Sequence, residues 1–250
     1  MIRQVPNLLT CLNLLCGCFS IIFIFSDNID AAASMVLACL MFDFLDGFTA
    51  RLLSAGSALG KELDSLADMV SFGLVPGLLG SKLCLSSPPF SLNAPDLQTL
   101  VIGHFPLIIT LASAIRLARF NLDTRQTDSF IGVPTPAITI LMIGLCLTVE
   151  HDRFSLTPVI LNPWFVCGLS MVIAWLLNCD LRMIALKFKS FSWSANQWQY
   201  LLIFSSAACF VLLGFTGIPA CILLYVFISL ISGKPSNQPK ENPIQNEIRS

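Results

Sequence analysis

Four aspartates fall within one short stretch, DFLDGFTARLLSAGSALGKELDSLAD, residues 43–68. Asp43 and Asp46 are spaced i, i+3, and Asp64 and Asp68 are spaced i, i+4. Either spacing sets both carboxylates of a pair on one face of a helix. Two such helices packed as an antiparallel hairpin bring all four toward a common depth. Carboxylates crowded in this way repel one another unless protons neutralise some or cations bridge them. Hard oxygen donors suit magnesium or manganese and offer little to softer metals. Two such ions can clamp the oxygens of a phosphoryl group during transfer. A single acid here would be read as an interfacial partner of Arg51 or Lys61; four at these spacings ask for metal.

The elements that must position these acids are built for lipid. The 250 residues are 55% hydrophobic and 12% charged, with a mean hydropathy of +0.79. Soluble domains carry about twice that charged fraction. An ionised side chain at the bilayer centre costs about 3 kcal/mol even on permissive scales, so the acids need a compensating role. Apolar length and polar breaks predict spans over residues 8–25, 31–53, 62–84, 99–120, 132–149 and 163–179. A last apolar run, 200–231, is too long for one simple span and is expected to break at Gly214–Pro219 into two shorter helices. The fold class is therefore an all-α polytopic membrane bundle of about eight transmembrane helices, occupying residues 1–232. The polar tail 233–250 is read as disordered and solvated. The first apolar run resembles a signal peptide but is long enough to span, and it is read as a retained helix. No internal repeat is visible.

Basic residues set the orientation. With the amino terminus in the cytoplasm, Arg3, Arg51, Lys61, Arg116, Arg119, Arg125, Arg182, Lys187, Lys189, Lys234, Lys240 and Arg249 fall on that side, and only Lys82 and Arg153 fall outside. The aspartate hairpin then opens to the cytoplasm. The ten cysteines lie mostly in apolar runs and are read as small buried hydrophobes rather than as a disulfide framework or a zinc site. His104 and His151 are read as surface or packing residues. Lys187, Lys189 and Trp193 form an interfacial segment suited to lipid headgroups, and no basic surface is large enough for nucleic acid.

Small residues surround the acids: Gly47, Ala50, Gly56 and Gly60 allow a ligand or another helix to come close, and Arg51 suits a phosphate. Asp43, Asp46-Gly47, Ala50-Arg51, Gly60, Asp64 and Asp68 reproduce, spacing for spacing, the signature that this stretch resembles, that of the CDP-alcohol phosphotransferases. The resemblance implies an integral membrane enzyme that moves a phosphatidyl-type group from a CDP-linked lipid to an alcohol and releases CMP. It also implies that Asp43, Asp46, Asp64 and Asp68 hold two divalent ions, Mg2+ or Mn2+, with Asp68 also the general base. Asp46, Gly47, Ala50, Arg51 and Gly60 would line the CDP-lipid site. Asn7, Thr10 and Asn13, on the cytoplasmic half of the first helix, are candidates to hydrogen-bond the nucleotide.

Further stretches, PNLLTCLNLLCG, DSLADMVSFGLVPG, AIRLARFN, GVPTP and LKFKSFSW, resemble the membrane-embedded phosphatidylserine synthases of bacteria and archaea over residues 4–200. Val133 and Thr135 depart slightly from that pattern. This resemblance implies CDP-diacylglycerol and L-serine as substrates, a multi-pass location in the inner (cytoplasmic) membrane, and a homodimer. Arg116 and Arg119, spaced i, i+3, present guanidinium forks for the serine carboxylate or a lipid phosphate, and Ser71 is a candidate to shape the acceptor pocket. Two other readings remain: the same chemistry on glycerol 3-phosphate or inositol phosphate, and a divalent-cation transporter, which would more often show paired repeats.

Overall fold

A computed structural model describes residues 4–87, 96–122, 130–179, 181–183 and 193–232. The polar tail, and Arg3, Arg125, Lys187, Lys189, Lys234, Lys240 and Arg249, lie outside the described residues. Helix α1 (Val5–Phe25) has Pro6 in its first turn, where the missing N–H costs nothing. The chain reverses through Asp27, with φ 56°, and Asn28 caps α2 (Ile29–Leu52) by accepting the Ala31 amide. Ser54 turns it again with φ 46°, and Ser57 caps α3 (Ala58–Asp68) by accepting the Gly60 amide at 2.9 Å. The two acidic arms are thus α2 and α3, joined by this short turn, and each packs on α1 rather than closely on the other.

Helix α3 continues without a break through a π-helical turn (Met69–Leu74) into α4 (Val75–Leu85). Pro76 explains the widening. It has no N–H to donate, and in a regular helix its ring would press on the carbonyl four residues back, that of Phe72. Neighbouring helices take up the freed carbonyls. Thr139 donates to Phe72 O at 3.4 Å and Thr110 donates to Gly73 O at 3.0 Å. In lipid no water can do this, so the two threonines allow the irregular turn to exist at membrane depth.

The rest of the bundle wraps this rod. Helix α5 (Leu97–Gly103) is capped by Asp96, whose carboxyl the Thr99 amide holds below the usual carboxylate range. A 3-10 turn at Phe105–Leu107 leads into α6 (Ile108–Leu122). Next come α7 (Thr135–His151), a single turn α8 (Thr157–Ile160), and α9 (Pro163–Asn178). Strand β1 (Phe130–Ile131) pairs antiparallel with β2 (Arg182–Met183), with Phe130 opposite Met183. This two-residue ladder is a small addition to an otherwise all-helical bundle, as expected, and it closes the start of α7 against the end of α9. Gly132, at φ 74°, makes that junction possible, because a Cβ there would lie 2.7 Å from the Leu177 carbonyl.

Helices α10 (Trp193–Leu213) and α11 (Gly217–Ser232) are separated by a 3-10 turn at Gly214–Thr216. Among the described residues five stretches have the length and composition to cross a membrane, and two shorter apolar helices, α7 and α9, accompany them. The fifth stretch, 199–230, bends at this turn, as its Gly and Pro foretold.

Val75 and Leu79 of the central rod share one buried core with Ile109, Ile138, Met142, Ile173 and Leu177, and Phe72 of the same rod is fully buried as well. Between helices in lipid, close packing rather than escape from water supplies the cohesion. Cys11 and Cys18 face outward, unlike the buried thiols expected of every cysteine, and all ten thiols are free. The bundle has two distinct ends. Lys82 pairs with Asp27 at one of them, where His151 also bonds Asp30 at 3.2 Å and stacks on Phe215. The first helix, about 32 Å long by its 21 residues, carries the chain from the Asn7–Gly60 contact at the other end.

Candidate active site

Helices α2 and α3 deliver the acids to one place. One carboxylate oxygen from each of Asp43, Asp64 and Asp68 lies within 4.8 Å of the other two. All four carboxylates are within electrostatic reach of one another. Asp46 is held differently. It is buried, and its Oδ2 accepts the Thr10 hydroxyl at 2.6 Å.

Helix α1 supplies a second contact one turn further on. Asn13 Nδ2 donates to Asp68 Oδ1 at 3.3 Å. Thr10 and Asn13, expected beside a nucleotide, are therefore directed at carboxylates, one on each arm of the hairpin. Ser71 is buried and donates to the Asn13 main-chain carbonyl at 3.2 Å. Gly17 is the reason α1 can lie so close: a Cβ on it would fall 2.5 Å from Ser71 Oγ.

Of the residues expected to line a CDP-lipid site, Asn7 and Gly60 are brought together. A Cβ on Gly60 would be 3.0 Å from Asn7 Oδ1, and Asn7 also donates to Gln4 at 3.1 Å. Arg51 Nη1 folds back along α2 toward Gly47, where a Cβ would stand in ordinary contact with it at 3.7 Å. Ala50 is half-buried, and Arg51 is exposed at the end of the hairpin.

The two arginines of α6 part company. Arg116 is half-buried, lies within electrostatic reach of Asp68, and keeps a buried Nε with no partner. Arg119 is exposed and donates to the Asn178 carbonyl at 3.5 Å. The end of α6 beyond them is docked onto α3: Asn121 donates to Ser65 at 2.8 Å, and Lys61 donates to the Asn121 carbonyl at 2.9 Å. Sequence reasoning missed this bridge, and it missed Tyr225 of α11, which interacts with Arg116. Its one signal was a tyrosine, one of two in the chain, inside an otherwise apolar run.

The cluster fits a divalent cation. Three convergent carboxylates offer hard oxygens, and Asp64 Oδ1 is buried with no hydrogen-bond partner. A buried acceptor left unpaired costs about 1–3 kcal/mol, and a cation at that oxygen would offset it.

The pattern of the CDP-alcohol phosphatidyltransferase family matches residues 3–179. A Bacillus subtilis protein named CDP-diacylglycerol–serine O-phosphatidyltransferase is 32% identical over 169 residues, covering 67% of this chain and 85% of its own. A Helicobacter pylori protein of the same name is 32% identical over 203 residues, 80% of this chain and 79% of that one. A Methanothermobacter thermautotrophicus protein named archaetidylserine synthase is 32% identical over 152 residues, 60% of each chain. The matched segment carries the whole acidic hairpin and the arginines of α6, and the chain belongs to the CDP-alcohol phosphatidyltransferase family.

Proposed function

We propose that this protein transfers the phosphatidyl group of CDP-diacylglycerol to the hydroxyl of L-serine, giving phosphatidylserine and CMP. The convergence of Asp43, Asp64 and Asp68 beside an unpartnered Asp64 oxygen carries the chemistry. The serine assignment is supported by the names of relatives that align over most of this chain.

Asp43, Asp46, Asp64 and Asp68 would hold Mg2+ or Mn2+, two ions in all, which when bound neutralise the pyrophosphate and the departing CMP. Asp68 takes the proton of the serine hydroxyl as that oxygen attacks the phosphorus bearing the diacylglycerol. The bond from that phosphorus to the CMP oxygen breaks in line. Asn7, Gly47, Ala50, Arg51 and Gly60 line the cytidine diphosphate, the glycines by allowing close approach and Arg51 by charge. Arg116 receives the acceptor carboxylate. Arg119 attracts anionic groups to the mouth, and Ser71 shapes the pocket by fixing the main chain of α1. About eight transmembrane helices cross the inner membrane with the acidic arms facing the cytoplasm, and two chains form a homodimer.

The test is CMP release by the purified full chain with CDP-diacylglycerol and a panel of acceptors. L-serine should release CMP, EDTA should stop it, and Mg2+ or Mn2+ should restore it. Release with glycerol 3-phosphate or inositol phosphate but not with serine would overturn the acceptor assignment.

A further inference from the structure

Native proteins keep few buried polar atoms unpaired, and each that persists calls for a reason. Among the described residues three such atoms belong to the acidic cluster or to residues linked to Asp68: Asp64 Oδ1, Asn13 Oδ1 and Arg116 Nε. A cation accounts for the first. The other two have opposite needs, since the amide oxygen takes a donor and the guanidinium N–H seeks an acceptor.

The direction of the Asn13 oxygen follows from chemistry. A carboxylate only accepts, so the amide must turn its nitrogen toward Asp68 and its oxygen elsewhere. The residue is fully buried and cannot swing away. Its main-chain carbonyl accepts both Ser71 Oγ at 3.2 Å and Cys39 Sγ at 3.4 Å, which pins this turn of α1 to α2 and to the central rod. The helix that carries Arg116 is held on two sides. Asn178 of α9 donates to the Ala112 carbonyl at 3.0 Å, and Asn121 docks the end of α6 on Ser65. Asp68 is linked to both residues, by a hydrogen bond to Asn13 and by charge to Arg116.

We infer that Asn13 Oδ1, Asp68 and Arg116 form a three-point subsite for a zwitterionic amino-hydroxy acid. The ammonium goes to Asn13 Oδ1, the carboxylate to Arg116, and the hydroxyl to Asp68 between them. The subsite rests on the phosphatidyl-transfer reading above and adds to it the group that recognises the amine. An acceptor without an ammonium leaves the buried Asn13 oxygen unpaired, and one without a carboxylate leaves the Arg116 N–H unpaired. Unpaired groups of this kind are how a polar site rejects close analogues.

Purified full-length parent, Asn13→Ala and Arg116→Gln would be compared with L-serine, glycerate, which lacks the ammonium, and ethanolamine, which lacks the carboxylate. Each is read by CMP release, or as an inhibitor against L-serine where turnover is undetectable. Asn13→Ala should reduce the preference for serine over glycerate by about tenfold or more, the equivalent of one buried hydrogen bond, and leave the preference for serine over ethanolamine. Arg116→Gln should do the reverse. Weaker positioning of Asp68 slows all acceptors alike and cancels in these ratios. Retained thermal stabilisation by CMP reports that each variant is folded, and Asn13→Ser, which keeps an oxygen, replaces Asn13→Ala if it is not. Unchanged ratios in folded variants overturn the subsite alone. A parent that releases no CMP with serine overturns the transfer reading and the subsite together.

Discussion

Thr10 and Asp46 are joined across α1 and α2 by a hydrogen bond of 2.6 Å, and both residues are buried. Asp46 is thereby the one acid of the quartet outside the group of three whose oxygens converge. The first helix acts on the acidic hairpin as a brace. It fixes a carboxylate of α2 through Thr10 and one of the central rod through Asn13.

Thr10→Val should therefore leave a buried carboxylate oxygen without its donor. The expected loss is about 1–3 kcal/mol, read as a lower thermal midpoint in detergent without divalent ions. Added Mg2+ should narrow the difference, because a cation can replace the lost donor. Thr10→Ser, which keeps the hydroxyl, should behave like the parent. Equal midpoints for valine and serine variants would show that the bond contributes nothing.

Asp68→Asn should slow CMP release by about two to four orders of magnitude, the range of general-base catalysis. Its amide still hydrogen-bonds and fills the same space, so CMP should stabilise the variant against heat as it does the parent. Turnover at the parent rate would remove Asp68 from the proton transfer. Asp43→Asn should instead weaken divalent binding, seen as a higher Mg2+ concentration for half-maximal rate.

Gly17→Ala should be destabilising by about 1–3 kcal/mol, the usual cost of overpacking. Its Cβ would meet Ser71 Oγ at 2.5 Å and Ser71 Cα at 3.2 Å. The double variant with Ser71→Ala removes the closer of these obstacles and should recover part of the loss. Strict additivity of the two changes would mean that the two sites do not touch.

At the opposite end, Lys82 donates to Asp27 and holds its carboxyl below the usual carboxylate range. A depressed folded pKa means the unfolded chain binds the proton first. The pair's contribution is present above the unfolded value of about 3.9 and is lost as pH falls through the folded one. Asp27→Asn should lower the thermal midpoint slightly at pH 6, and the difference should vanish near pH 2. Because Asp27 is exposed, high salt should shrink the effect at pH 6. A difference that persists into strong acid would assign it to something other than charge.

Several of these features can be read along the chain. Among the described residues five membrane-length apolar stretches and two shorter apolar helices fall where apolar length and polar breaks put them, and a turn at Gly214–Thr216 does interrupt the last run. The π turn was not legible, because a proline in a helix can equally produce a kink. Which outcome follows depends on whether neighbours can receive the freed carbonyls, and Thr110 and Thr139 do so from 37 and 67 residues away. The β1–β2 ladder was equally hidden, since two residues are too few to show a period.

The spacing of Asp43, Asp46, Asp64 and Asp68 determined by itself that this protein carries paired carboxylates on two helical faces, since 3.6 residues per turn leaves no other outcome for a helix. Spacing along one helix says nothing about which side chain of another will meet it. That depends on how closely two axes approach and in what register, which Gly17 and Ser71 settle by contact. Only the tertiary structure could therefore turn Thr10 and Asn13 toward the acids, set Asp46 apart from the other three, and leave Arg116 half-buried near Asp68 with a buried N–H to give.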